Sequence, residues 1–350
     1  MKAVRRIFAV IIGMVFAVAG LLKLMDPVGA GLVMEEYFKF LHLPFMLPAA
    51  RVLGTAAALL ESLVGAALIT GVWRRLTGAV TGVMMAGFTL LTLVLWIKNP
   101  VMECGCFGEA IHLTHLQSLV KNCILLVFWA IAFVPFRLCG EPLKIKYVSF
   151  SLAAISMLLF TLYSSLSIPL MDFTAYQPGV ELQQSIDVED DDAPLLSLSD
   201  ADGDYRDDLV AEGNVLVMSV PDPHRLGRQA QERISRELEA TSGLGMTPLL
   251  LMGCRPEDMD DMDLTDVIKM HSYFADRREL LTLNRSNGGA TLIMDGQIVS
   301  KWAARSLPDA ETLEMMSGME PSDAMIESTA PGRLGMQGFL LYVFAVMLLL

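Results

Sequence analysis

Charge is scarce in this chain. Charged residues make up 19% of it and hydrophobic residues 53%, with a mean hydropathy of +0.49. Ordinary soluble domains are about 25% charged and about 45–50% apolar. The apolar excess collects in long uncharged runs, which points to bilayer rather than to a large soluble core. Basic residues are outnumbered, 26 Lys and Arg against 39 Asp and Glu, for a net charge of −13. Most of the acid lies after Asp172, so the pI of about 4.8 describes the second half. An acidic surface of this kind excludes nucleic acid as a partner. Cysteine is scarce as well. The five cysteines, Cys104, Cys106, Cys123, Cys139 and Cys254, are too few for a disulfide scaffold, and their spacing fits no zinc site. At 350 residues there is room for two domains.

A helix needs roughly 20 apolar residues to cross a bilayer core. Five runs qualify: Ile7–Met25, Ala49–Trp73, Leu76–Ile97, Leu116–Leu138 and Tyr147–Ile168. A sixth, from Gln337 to Leu350, has 14 residues and is marginal: the sequence is truncated there or the tail lies shallowly. The first run has a basic start but no small-x-small cleavage site before Asp26-Pro27, so it reads as an uncleaved anchor. Lys2, Arg5 and Arg6, then Arg74 and Arg75, then Arg137, Lys144 and Lys146 fall at alternate ends of the spans. The positive-inside rule puts these clusters in the cytoplasm. The loops Asp26–Pro48 and Lys98–His115, and the stretch from Pro169 to Arg333, then face the other side.

Within the spans, Glu61 is the residue that asks for an explanation. A carboxylate in a bilayer is costly and marks a functional site by default. The plainer alternative is a protonated Glu bonded to a backbone carbonyl. Lys23 ends the first span, where snorkelling accounts for it. Rise per residue sets Glu61 roughly 15–20 Å deeper, so the two are not expected to pair. Small residues crowd the second and third spans, among them Gly54, Gly65, Gly78, Gly82 and Gly87, as close helix packing requires.

The sharpest chemical feature is Glu103-Cys104-Gly105-Cys106-Phe107-Gly108. Fully extended, an i, i+2 pair holds its α-carbons near 7 Å, beyond the usual disulfide range of about 4.4–6.8 Å. Gly105 lets the chain fold tighter. A bond across so short a loop is strained, and strained, exposed disulfides are the exchanging ones. Three readings stay open: a thiol–disulfide relay, a static bond fixing the loop, and two ligands of an incomplete metal site. His112 and His115 follow closely and favour the third, or sit idle at the interface. Cys123 enters the next span as a resolving thiol or a small hydrophobe.

Several strings together resemble a known family. They are Ala19-Gly20-Leu21-Leu22-Lys23-Leu24-Met25-Asp26-Pro27-Val28-Gly29, Glu35-Glu36-Tyr37-Phe38, Glu61 with Gly65, the Cys-Gly-Cys-Phe-Gly stretch, and Lys121-Asn122. Residues 7–140 resemble the DoxX-like family, in particular the branch that includes the methylamine-utilisation protein MauE. The strings Ile168-Pro169-Leu170-Met171-Asp172-Phe173 and Arg285-Ser286-Asn287 resemble a two-part type known in Bacteroidetes, with a thioredoxin-like region outside the cytoplasm. The resemblance implies a four-helix core distantly similar to quinone-linked disulfide-forming membrane enzymes. For MauE it implies help in maturing a disulfide-rich periplasmic subunit.

The acidic half follows a strand–helix order. An acidic connector ends in Ile186–Asp192, Leu195–Ser199 alternates as a short strand, and Asp202-Gly203 is a turn rather than a calcium loop. Val215–Val220, Arg225–Thr241, Thr247–Met252, Thr265–Phe274, the hairpin Ala290–Met294 with Gln297–Trp302, and Ala310–Met316 then read as strand, helix, strand, helix, hairpin and helix. That order matches the thioredoxin-like region the resemblance implies. The departure is in the chemistry. The stretch Pro221-Asp222-Pro223-His224-Arg225-Leu226, where the dithiol belongs, has no cysteine. Cys254 lies outside that position, and the DMDDMD stretch, with Met259 and Met262, is an acidic loop before it is a copper site.

The fold expectation is thus a multidomain chain. Residues 1–140 form a four-helix transmembrane domain and 141–170 a fifth span. Residues 171–335 form an acidic α/β thioredoxin-like domain, and 336–350 an apolar tail. Its place is the bacterial inner membrane, multi-pass, with the soluble domain periplasmic. The expected function is thiol–disulfide exchange through Cys104 and Cys106, with a membrane quinone as possible acceptor and a protein client outside the cytoplasm. The alternatives are a scaffold whose soluble domain binds a client, and a small-molecule transporter with Glu61 as proton site.

Overall fold

The structure is a computed structural model that describes residues 2–102, 104–135, 142–169, 171–183, 193–259, 261–328 and 331–349. Glu103, Arg137, Cys139 and the acidic stretch Ile186–Asp192 lie outside the described residues. The chain divides into two compact units, Met1–Ser165 with Gly332–Leu350, and Leu166–Pro331.

The first unit is helical: α1 (Lys2–Met25), α2 (Pro27–Phe40), α3 (Ala50–Thr70), α4 (Arg74–Lys98), the short strand β1 (Cys106–Glu109), α5 (His115–Phe133) and α6 (Lys144–Leu166). Among the described residues, five helices are long and apolar enough to cross a membrane, and they coincide with the five runs expected. Large apolar side chains stay exposed along them, Ile7, Val52, Val83, Leu90, Val127 and Leu162 among others. Water would not tolerate so broad an apolar surface on one unit, whereas lipid does. This is a multi-pass membrane protein.

Asp26–Pro48, the connection between the first two spans, is not open loop. It holds α2 and a 3-10 turn over Pro44–Ala49. The Asp26 carboxylate caps α2 by accepting from the Gly29 N–H at 2.9 Å, and Pro27 occupies the first helical position. The apolar run is short because α2 need only cover the beginning of α3, where a Cβ on Gly54 would stand 2.6 Å from the Ala30 carbonyl oxygen. α1 packs against α3 through Gly13, Gly20 and Gly65, and α4 against α5 through Gly78 and Gly82, which meet Phe133 and Trp129. Gly87 faces open space and has no such role.

One end of this unit is basic. Arg6 donates to the Leu68 carbonyl at 2.7 Å and also to the Ile69 carbonyl, and Arg5 to the Ala132 carbonyl at 2.8 Å. These are the unsatisfied carbonyls at the C-termini of α3 and α5, where a cation also meets the negative end of the helix dipole. The Cys-Gly-Cys loop, which follows α4, lies at the opposite end.

The second unit is a three-layer α/β domain. Its elements are β2 (Asn214–Val220), α7 (Arg228–Gly243), β3 (Thr247–Met252), α8 (Pro256–Met259), α9 (Asp266–His271), β4 (Ser272–Phe274), α10 (Arg277–Leu283), β5 (Gly289–Met294), β6 (Gln297–Trp302), α11 (Ala310–Ser317) and α12 (Pro321–Ser328). The sheet order is β4-β3-β2-β5-β6, with β2, β3 and β4 parallel and β5 antiparallel to both β2 and β6. Alternation along β2 divides the core. Leu216, Met218 and Val220 face Ile234 and Leu238 of α7, while Val215 and Val217 face Leu280 and Leu283 of α10. The last helix, α13 (Pro331–Leu349), groups with the first unit, and Ser156 of α6 donates to its Leu340 carbonyl at 2.5 Å.

Three expectations for this half are corrected. Leu195–Ser199 is no strand: only Ser199 bridges, to Tyr205 and Phe274, while Leu196 and Leu198 plug the second core as coil. Thr265–Phe274 splits into α9 and the edge strand β4, because Ser272–Phe274 finds a free edge on β3. The first connector residues belong to the domain. Gly179 and Leu182 donate to the Ile298 and Gly296 carbonyls at 2.7 and 2.8 Å, and Asp172 pairs with the buried Lys301 at 2.6 Å. Burial alone would raise the Asp172 carboxyl, but Lys301 and Thr174 hold it below its usual value.

Candidate functional site

The site lies in the first unit, where the Cys-Gly-Cys loop closes over a cavity of about 110 Å³ walled by α1 to α5. Two capped helix ends shape it. Asn99, in the left-handed region at φ 44°, ends α4, and its backbone N–H bonds the Leu95 carbonyl. Thr114 and Gln117 form a reciprocal capping box that starts α5. Between them Gly105 takes φ +58°, a conformation that L side chains rarely adopt, and a Cβ there would strike Val33 of α2. The tight turn expected from the sequence is therefore present, with α2 as its floor. Tyr37 of α2 donates its hydroxyl to the Cys104 carbonyl and clamps the loop to the same helix.

The two sulfurs stand 3.4 Å apart as a hydrogen-bonded pair, not covalently joined. They are unequal. Cys104 is 2% exposed, whereas Cys106 is only half-buried. A hydrogen bond from the Cys104 thiol lowers the Cys106 thiol to about 5; burial opposes this, and Lys121, the Ser118 hydroxyl and Lys23 reinforce it. The same hydrogen bond, then burial, pushes Cys104 up. A thiolate is the nucleophile in sulfur exchange, and of the two sulfurs Cys106 is the one held toward that form, while Cys104 is the more sheltered.

Lys23 and Glu61 form an ion pair, Nζ to Oε2 at 2.6 Å, contrary to the depth argument. That argument placed the end of α1 level with the start of α3. In the structure α3 begins beside α2 instead. Gly20 of α1 meets Ala58 and Ser62, which aligns Lys23 with the turn that carries Glu61. Snorkelling is not needed, since Lys23 turns inward to the carboxylate and packs under Gly108 of the loop. Both residues line the cavity beside Cys104 and Cys106, together with Tyr37, Lys121 and Asn122. Asn122 is anchored to the Thr92 hydroxyl at 3.2 Å.

Residues 1–135 match the family model described as methylamine utilisation protein MauE. The first 135 residues form a MauE-type membrane region. No curated protein and no solved structure matches the chain.

The remaining sequence candidates fall outside the cavity of the MauE-type region. Cys123 is exposed on α5, away from the sulfur pair's wall. His115 opens α5 with Nε2 3.2 Å from the Pro100 carbonyl and a buried Nδ1 that has no partner among the described residues. Among the described residues no cluster of three His, Cys, Asp or Glu is placed to hold a metal ion. Cys254, in the second unit, packs against the first core, and burial, then Asp258, pushes its thiol up. Two cavity residues, Tyr37 and Lys121, appear in the sequence only within family-like strings, without an assigned role. Lys121 is legible as a lysine well inside an apolar run, and that kind of residue asks for an explanation as Glu61 does.

Proposed function

We propose that the MauE-type region is a membrane thiol–disulfide oxidoreductase whose working pair is Cys104 and Cys106. The single observation that carries the reading is the asymmetry of the two sulfurs, Cys104 buried and Cys106 half-buried, 3.4 Å apart over a cavity with buried charge. The Cys106 thiolate attacks one sulfur of a client disulfide, the client S–S bond breaks, and the leaving sulfur takes a proton. Cys104 then gives up its proton and attacks the Cys106 sulfur. The mixed bond breaks, the client leaves with two thiols, and the loop holds the disulfide. Run in reverse, the same steps make a disulfide in the client and leave the loop reduced.

Turnover in the oxidising direction needs an acceptor for two electrons and two protons. A membrane quinone supplies that chemistry when bound. The cavity suits a flat apolar head group: Ala57, Ala58, Phe88 and Leu91 give apolar wall, and Lys23 and Lys121 give donors beside the sulfurs. Basic residues at the far end of the helices support an orientation with the loop outside the cytoplasm, in a bacterial inner membrane.

The second unit supports a thioredoxin-like reading through its sheet order, its parallel βαβ start and its closing hairpin and helix. It lacks the thiols: a 3-10 turn, Pro223–Arg225, occupies the expected position after β2. The domain then holds the client, and the membrane pair does the chemistry. A purely scaffolding protein is the second reading, favoured by that same missing dithiol.

Trapping separates the two. Cys104→Ser leaves Cys106 without its resolving partner and is expected to accumulate mixed disulfides on a non-reducing gel, lost on adding dithiothreitol and absent from Cys106→Ser. Scaffolding predicts identical gels for both variants and wild type.

A further inference from the structure

The helix that follows the cysteine loop bears on which sulfur reacts. Ser118, Lys121 and Asn122 share one face of α5, at the i, i+3 and i+4 positions, and Lys121 and Asn122 line the cavity. The Lys121 ammonium lies 4.8 Å from the centre of the Phe107 ring, the residue next to Cys106. A cation over an aromatic face is held there electrostatically, the more so out of water. The Ser118 hydroxyl is buried beside the two sulfurs and favours a thiolate there.

Among the described residues, the other polar groups near the pair are engaged elsewhere. From α1 comes Lys23, which is 2.6 Å from the Glu61 carboxylate of α3. From α2 comes Tyr37, whose hydroxyl is engaged by the Cys104 carbonyl and whose ionisation burial, then the two cysteines, oppose. From α4 comes the Thr92 hydroxyl, which is uncharged. The loop itself carries Glu109 at the end of β1. Among the described residues the cavity wall holds two lysines, Lys23 and Lys121, and one carboxyl group, Glu61. An anion that forms at Cys106 therefore meets more basic than acidic groups.

We propose that Lys121, pinned over Phe107, is the positioning residue that makes Cys106 the exchanging thiolate and so stabilises the reduced form of the pair. This deepens the exchange reading above and rests on it for its biological meaning, though the charge effect is measurable alone. The shift of Cys106 to about 5, with Lys121 the foremost charged contributor, agrees with the geometry. Stabilising the thiolate stabilises the dithiol relative to the disulfide, which makes the disulfide a stronger oxidant.

The test uses the full chain in detergent or nanodiscs. Iodoacetamide alkylation of Cys106 is followed against pH, with the modified cysteine identified by peptide mass spectrometry. Lys121→Gln is expected to raise the midpoint by about one to two pH units, in line with loss of an opposite charge at close range. It is also expected to shift the glutathione equilibrium of the pair toward disulfide, by about tenfold per unit. Lys121→Arg restores both. Phe107→Leu, which keeps the charge but frees it, gives a smaller rise and decides the matter if Lys121→Gln fails to accumulate. Unchanged midpoints in Lys121→Gln and Phe107→Leu overturn the proposal. A shifted midpoint in a protein that never forms mixed disulfides upholds the role of Lys121 and removes the exchange reading. Mixed disulfides with an unshifted midpoint do the reverse.

Discussion

Glu61→Leu is expected to destabilise the membrane unit by about 3–5 kcal/mol, the cost of leaving one member of a buried ion pair uncompensated. The reason lies in the surroundings of Lys23. Its ammonium is 2.6 Å from the Glu61 carboxylate, and Glu61 is 6% exposed. With the carboxylate gone, the ammonium loses its direct partner among Ala30, Ala57, Ala58 and Phe88, and only the Cys106 sulfur on the same wall can offset its charge. The double variant Lys23→Met with Glu61→Leu removes both charges and is expected to recover most of the loss. Thermal unfolding of the detergent-solubilised chain, with hydrogen exchange over α1 and α3, measures both. Equal damage from the single and double variants would show that packing, not charge, holds this place.

Gly65→Leu is expected to be as damaging, for a steric reason. A Cβ at this position meets the Ala17 backbone nitrogen and stands 2.7 Å from the Gly13 carbonyl oxygen. Those are main-chain atoms of a straight helix, which have no rotamer to move into. The larger side chain therefore separates α1 from α3 along the seam formed by Gly13, Gly20 and Gly65, and membrane helices that pack by close backbone approach have little else to hold them. The separation also pulls Lys23 from Glu61. Loss of the folded species in size-exclusion chromatography is the expected result, whereas Gly87→Leu, at a glycine with nothing nearby, leaves it intact.

Much of this architecture is legible in the sequence, and the omissions have definite causes. The five spans follow from run length alone, and the tight turn at Gly105 follows from the reach of an i, i+2 pair. The hairpin at Asp295-Gly296 announces itself by turn chemistry, and both residues take positive φ, 47° and 78°. α2 escapes because it is too short to span, although Asp26-Pro27 is a helix start. That omission leads to the error over Lys23 and Glu61. A depth estimate along one helix axis presumes that neighbouring helices begin at the same level, and α2 displaces α3. In the second unit, β4 and α10 are three and seven residues long, too short for periodicity to register. The cavity itself is not legible, because it is made by side chains from five helices whose only sequence trace is a set of isolated polar residues. Lys121 is the clearest case: its task is set by Phe107, fourteen residues earlier and on another element.

The central claim is that Cys104 and Cys106 change redox state as the protein works. Differential alkylation of the pair in intact cell membranes tests it most directly: free thiols are capped first, the disulfide is reduced and capped with a heavier label, and the peptide bearing both cysteines is weighed. The account predicts both forms, with the dithiol fraction rising when the quinone pool is depleted and falling when it is restored. A pair that stays in one form under both conditions would contradict it.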